Sequence, residues 1–242
     1  MINLQIRYLV AGLFMGVAEL IPGISGSTVA VIFKIYKNLM SILSELKFRN
    51  LTFDLQKLSR TFQLSLFIPL FISMVLSVII FSNGIEYLII NYEKSFLLTL
   101  GWLMILSSLY VVHFFKPLLQ DFFLLVFFLI GALSGIFFQE MVFVAGEITG
   151  LYLFLSGVLA FSFFLIPGIS GSAVLVILGV YPVVIQGIAN FNLQTLIPFG
   201  IGCLFSLIIL PKFILNLFLI YEQKLMFIFS GLIFASGYLL IT

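Results

Sequence analysis

Glu19 is the residue in this chain best placed to do chemistry. It is the one charged residue between Arg7 and Lys34, in a segment dominated by apolar and small residues. A carboxylate costs a great deal in lipid, so inside a membrane it marks a path for protons or ions, or else it is a protonated structural group hydrogen-bonded to an exposed helix end. Directly after it comes Leu20-Ile21-Pro22-Gly23-Ile24-Ser25-Gly26-Ser27, then Thr28. The string returns unchanged as Leu165-Ile166-Pro167-Gly168-Ile169-Ser170-Gly171-Ser172, 145 positions later. Val29, Val31, Ile32 and Tyr36 are echoed at the same offset by Val174, Val176, Ile177 and Tyr181. An identity of this length inside one chain marks an internal repeat.

The string suits anion binding. Proline removes a backbone donor and disfavours a helical residue before it, so Pro22-Gly23 and Pro167-Gly168 read as helix breaks. Ser25 and Ser170 are good N-caps for a helix that starts afresh. Such a start leaves N–H groups free and carries partial positive charge, which favours a phosphate or carboxylate. Gly26 and Gly171 allow a ligand close to the backbone, and Ser25, Ser27, Thr28, Ser170 and Ser172 add hydroxyl donors. The other reading of the doubled string is close packing of two broken helices with no ligand. Glu19 has Phe164 as its counterpart, so a proton- or ion-coupling role at Glu19 makes the site asymmetric. Arg7 and Lys34 are candidate head-group contacts and equally suit anchoring at an interface. His113, the single histidine, reads as an interface anchor.

The elements that position these residues are membrane helices. The chain is 63% hydrophobic, 8% charged and contains 30 phenylalanines, with a mean hydropathy of +1.32. A soluble domain carries roughly 25% charged residues. The expectation is an all-α polytopic bundle forming a single membrane domain over residues 1–242. The start of the chain lacks the small residues of a signal-peptide cleavage site and is expected to be retained. Cys203, in an apolar run, reads as a packing residue. Helices over 4–21 and 25–44 are too short to be comfortable isolated spans and read as a re-entrant hairpin. Residues 46–62, with Lys47, Arg49, Lys57 and Arg60, read as a basic amphipathic helix on the membrane surface. Spans follow at 64–82, 95–113 and 122–138. A second hairpin, 150–166 and 172–188, precedes spans at 193–210 and 225–241. The small residues from Gly131 to Gly135 suit helix packing within the chain. Repeat 1 is thus expected over 1–114, a linking span over 121–139 and repeat 2 over 150–242.

Three spans lie between the hairpins, and an odd number places them on opposite sides, which makes the repeats inverted. With the N-terminus in the cytoplasm, ten of the eleven basic residues fall inside and Lys94 alone outside. The outer segments carry Glu86, Glu93, Glu140 and Glu147, so the bias follows the positive-inside rule. The expected location is the cytoplasmic (inner) membrane, with the C-terminus outside. Metal, nucleotide and hydrolase signatures are missing from the sequence. A transporter is expected rather than an enzyme, with no metal, no cofactor and no nucleic-acid partner.

The motifs from Gly16 to Thr28, from Ile166 to Ser172 and from Leu178 to Tyr181 resemble the PopT family, long known as a domain of unknown function, across nearly the whole chain. The resemblance implies a bacterial or archaeal translocase that returns undecaprenyl phosphate across the cytoplasmic membrane for envelope polysaccharide synthesis. The chain departs from the family pattern at Glu19, usually Asp, at Ser27, usually Gly, and at Lys34, where copy two keeps Gly179. Inward movement of a lipid phosphate opposes an inside-negative potential at ~2.3 kcal/mol per charge per 100 mV. A proton carried on Glu19 would offset that cost. A secondary transporter of a small anion or other solute, built on the same paired breaks, is the alternative.

Overall fold

The computed structural model describes residues 4–21, 23–47, 50, 54–113, 117, 121–141 and 147–242, with the backbone alone described at 139 and 140. Pro22, Arg49, Lys116 and the Glu140 side chain, named above, lie outside the described residues. The described residues form helices and no strands. In order these are α1 (Leu4–Glu19), α2 (Gly26–Ile32), α3 (Tyr36–Ser44), α4 (Leu55–Thr61), α5 (Leu64–Val111), α6 (Leu124–Glu140), α7 (Gly150–Leu165), α8 (Gly171–Ile177), α9 (Tyr181–Ala189) and α10 (Leu193–Ile241). The sequence repeat is matched by element lengths. Helices of 16, 7, 9 and 48 residues (α1, α2, α3, α5) return as 16, 7, 9 and 49 (α7, α8, α9, α10). Among the described residues α5 and α10 are long and apolar enough to cross a membrane, and the bent pair α8–α9 makes a broken span or re-entrant loop.

Three expectations are corrected. First, the return arms 25–44 and 172–188 are not continuous. Each is cut again, and α8 meets α9 at 115°. The cut is a Schellman turn: Ile35 N–H bonds the Ala30 carbonyl and Lys34 N–H that of Val31, mirrored by Val180 to Leu175 and Gly179 to Val176. The turning residue is left-handed in both copies, with φ 56° at Lys34 and 68° at Gly179. Second, among the described residues of 46–62 the α-helix is confined to Leu55–Thr61, started by Asp54, whose carboxylate accepts from the N–H groups of Gln56 and Lys57. Third, the spans at 64–82 and 95–113 are not separated by a loop. Residues 83–94 continue α5, because their polar members face outward from a helix and only Tyr92 leaves helical geometry (φ −138°, ψ 27°).

Tyr92 reverses the chain. Gln63, just before α5, accepts a 3.0 Å hydrogen bond from Asn38 of α3. Val111, the last residue of α5, shares a cavity wall with Tyr36 and Lys37 of the same α3. A straight helix of 48 residues would separate those ends by ~70 Å. Tyr221 (φ −128°, ψ 35°) breaks α10 at the equivalent point.

Small residues set the packing. Gly12 and Gly16 lie against the backbone of Leu70 and Met74, and Gly157 and Gly202 against that of Phe199 and Phe154. Gly131 meets Ile228 and Gly135 meets Ala235, so the Gly131–Gly135 stretch packs within the chain as expected. Where the second halves of α5 and α10 meet, a Cβ on Gly101 would lie 2.6 Å from the Gly237 carbonyl, and Ser230 donates to the Ser108 carbonyl at 2.7 Å. Those two segments therefore run antiparallel. One apolar cluster, from Tyr8 to Ile233, joins both repeats.

Lysine is the wrong residue for a left-handed turn, at a cost of about 1–2 kcal/mol. Lys34→Gly is therefore expected to hold or raise the melting temperature in detergent, whereas Gly179→Ala should lose about 1 kcal/mol. A fall for Lys34→Gly equal to that of Gly179→Ala would contradict the shared turn.

Candidate functional site

The two breaks meet at the centre of the molecule. Gly23 and Gly168 adopt the same left-handed geometry, φ 83° and 86°. A side chain at Gly168 would stand 2.5 Å from the Leu232 backbone carbon, so glycine is required there by space as well as by φ. Thr28 Oγ1 accepts from Gly168 N–H at 2.9 Å, tying the helix leaving the first break to the turn of the second. Tyr36 donates to the Leu165 carbonyl at 2.7 Å, and Ser236 to the Gly23 carbonyl at 2.6 Å. These bonds occupy backbone groups that a broken helix leaves without partners.

Glu19 Oε1 accepts from Gly26 N–H, the first of α2, at 2.7 Å. The carboxylate thus already holds the position at which an anion would meet that helix start. In copy two Phe164 stands in this place and offers Gly171 no acceptor. Ser25 and Ser170 occupy the N-cap positions with extended backbone, yet neither hydroxyl caps its helix. They pair instead with Ser27 and Ser172, each at 2.7 Å. The reason lies in Ser-Gly-Ser itself, which offers a hydroxyl two residues on in both copies.

A cavity of about 540 Å³ opens between the breaks. Its wall takes Glu19, Leu20, Gly23 and Ile24 from the first copy and Ser170, Ser172 and Tyr181 among others from the second. Of the expected phosphate ligands, Ser170 and Ser172 reach this wall. Ser25, Ser27 and Thr28 are buried in the contact between the breaks, and Ser25 also lies 3.2 Å from Thr28 Oγ1. Gly26 lies behind Glu19, and Gly171 packs on Ala160 and Phe164. Pro167 is fully buried.

Arg7 and Lys34 lie away from this cavity. Arg7 Nε donates to the Phe33 carbonyl at 2.6 Å, at the end of α2. The same carbonyl in copy two, on Leu178, is held by Tyr152 at 2.8 Å. Two unlike residues thus perform one structural task. Lys34 is exposed and lines a second cavity of about 310 Å³ with Val31, Tyr36, Lys37, Phe218 and Glu222. Across it Lys37 Nζ pairs with Glu222 Oε2 at 2.6 Å. Neither Tyr181 at the first cavity nor the Lys37–Glu222 pair at the second was found from the sequence. The echo of Tyr36 in Tyr181 was the available signal for one, and a partner 185 residues away left none for the other. Among the described residues no cluster of His, Cys, Asp or Glu could hold a metal.

Residues 15–242 match the family described as undecaprenyl phosphate translocase-like. The chain is also similar to a polyprenyl-phosphate transporter of Vibrio cholerae serotype O1, 28% identical over 206 residues. That alignment takes in 81% of this chain and 65% of the relative, less than two thirds of its length. No solved structure matches the chain.

The joint between the breaks has a measurable strength. Thr28→Val keeps the shape and strands the buried Gly168 N–H, at an expected cost of about 1–3 kcal/mol of stability. Glu19→Gln retains an oxygen acceptor for Gly26 and should change stability by less than about 1 kcal/mol. Thermal unfolding in detergent separates them; equal losses would mean that the Thr28 contact does not hold the breaks together.

Proposed function

The chain belongs to the undecaprenyl phosphate translocase-like family, and from that membership we propose that it carries a polyprenyl phosphate, the lipid carrier of envelope polysaccharides, across the cytoplasmic membrane. The observation that carries this reading is the shared cavity, where the Glu19 carboxylate from one repeat faces the Ser170 and Ser172 hydroxyls from the other. The head-group phosphate enters this cavity and accepts hydrogen bonds from the Ser172 hydroxyl and the start of α8, while Ser170 holds Ser172 in place.

Glu19 and the phosphate compete for one environment. Two anions cannot share a small cavity of low dielectric at low cost. Protonation of Glu19 removes the repulsion and lets its grip on Gly26 N–H loosen as phosphate binds. Proton and phosphate then move together, which offsets the membrane potential that opposes an inward anion. The two repeats are inverted in this reading. The antiparallel meeting of Gly101 with Gly237 and of Ser108 with Ser230 supports it, since equivalent helices of inverted repeats must run in opposite senses. The face of Arg7, Lys34 and Lys37 is then cytoplasmic, in keeping with the positive-inside bias.

The test is transfer of a polyprenyl phosphate across proteoliposome membranes, beside uptake of free phosphate. Wild type should move the lipid, and faster with the receiving side alkaline to the donor side. Ser172→Leu, which fills an exposed position on the wall, should slow it about ten- to a hundredfold, the value of a hydrogen bond to a charged group. Glu19→Gln should remove the response to the pH gradient. Uptake of free phosphate with no lipid movement would replace the lipid by a small anion as substrate. An unchanged pH response in Glu19→Gln would remove the coupling role.

A further inference from the structure

We propose that Tyr36 and Tyr181 are alternating gates, each closing one side of the central site by donating its hydroxyl to the carbonyl that ends the other repeat's entering helix. The two tyrosines are equivalent positions, as are Leu20 and Leu165, since both pairs stand 145 residues apart. The bond from Tyr36 to the Leu165 carbonyl therefore has a mirror image, from Tyr181 to the Leu20 carbonyl. Only the first is made, at 2.7 Å. Tyr181 and Leu20 instead stand apart as two walls of the 540 Å³ cavity.

The surroundings differ in the same sense. Tyr36 is 3% exposed, with its ring packed against Phe218 and Phe229 at centroid distances of 5.7 and 5.5 Å. Tyr181 is 39% exposed. On the closed side, the 310 Å³ cavity is lined by Val31 and Tyr36, and their equivalents Val176 and Tyr181 line the open one. The Lys37–Glu222 pair spans the closed side. The open side has Pro182 at the Lys37 position and so lacks that cation.

The backbone of the breaks does not set this difference, although the bonds of Glu19 and Thr28 in the first copy have no counterpart in the second. Both breaks have the same eight residues, the same left-handed glycine and the same 2.7 Å serine pair. Two units with one local conformation are packed in two ways. Exchanging the packings makes the Tyr181 bond, breaks the Tyr36 bond and moves the opening to the side of Lys34 and Lys37. The Tyr36 and Tyr181 bonds are of one type, so trading one for the other costs little, while the Lys37–Glu222 pair, which Pro182 cannot reproduce, weights the packing seen here. The gates act on whatever the cavity binds, and their role in transport rests on the function proposed above.

The test uses no lipid, so it stands or falls apart from the transport assay. Cys203 is the single native cysteine, and Cys203→Ala supplies a blank background. Ala173→Cys reports on the open cavity and Met226→Cys on the closed one, through the rate of reaction with a polar maleimide. Adding Tyr36→Phe should raise labelling at 226 and lower it at 173, by about five- to tenfold in their ratio, the effect of one net hydrogen bond on an equilibrium. Adding Tyr181→Phe should move the ratio the other way. Among the described residues the Tyr181 hydroxyl has no hydrogen-bond partner, so this variant keeps the test open even if Tyr36→Phe folds poorly. Equal rises at both positions with Tyr36→Phe would mean a loosened core. That result, or no change at 226 with Tyr181→Phe, overturns the proposal.

Discussion

A helix broken inside a packed protein must find partners for its freed backbone groups without help from bulk water. That requirement governs the centre of this molecule. The breaks supply much of the answer to one another, since Thr28 holds Gly168 N–H and Tyr36 holds the Leu165 carbonyl. Other helices supply the rest, with Ser236 on the Gly23 carbonyl, Arg7 on that of Phe33 and Tyr152 on that of Leu178. Each of these bonds also fixes a distance between elements. The hairpins thus sit where their polar groups are satisfied, and the apolar helices close around them through glycine contacts.

The two copies share helix lengths and the break string, and three of their many side-chain differences bear on the site and its turns. Glu19 faces Gly26 where Phe164 faces Gly171. Thr28 reaches across to the other break where Ala173 cannot. Lys34 bears a left-handed conformation that Gly179 adopts without strain. Most positions outside the breaks also differ between the copies, while the eight residues of the breaks are identical. On the proposed reading, the few substitutions that flank the identical string are where a symmetric scaffold acquires a direction.

Much of this was legible in the sequence because proline, glycine and an exact repeat speak about backbone, and backbone is what the breaks consist of. The entering helices ended within a residue or two of expectation for that reason. The second cut in each return arm was hidden in copy one, where Lys34 disguises a turn that Gly179 advertises in copy two. The helical path of α5 up to its reversal at Tyr92 was hidden because Asn83, Glu86 and Asn91 suit an exposed helix as well as a loop. The serine hydroxyls were assigned to a ligand by type. Their actual neighbours, Ser27 for Ser25 and Ser172 for Ser170, depend on rotamers that composition does not carry.

The central cavity has a volume of about 540 Å³. A phosphate group and its first carbons fit in such a space, and a polyprenyl tail of many isoprene units does not. On the proposed reading the tail stays in the bilayer throughout, and the protein handles only the polar end. Recognition is then indifferent to chain length and to the pattern of double bonds. A water-soluble phosphonate with a short alkyl stub would fill the same space, which makes the pocket a target for a blocker unrelated in shape to the lipid it competes with.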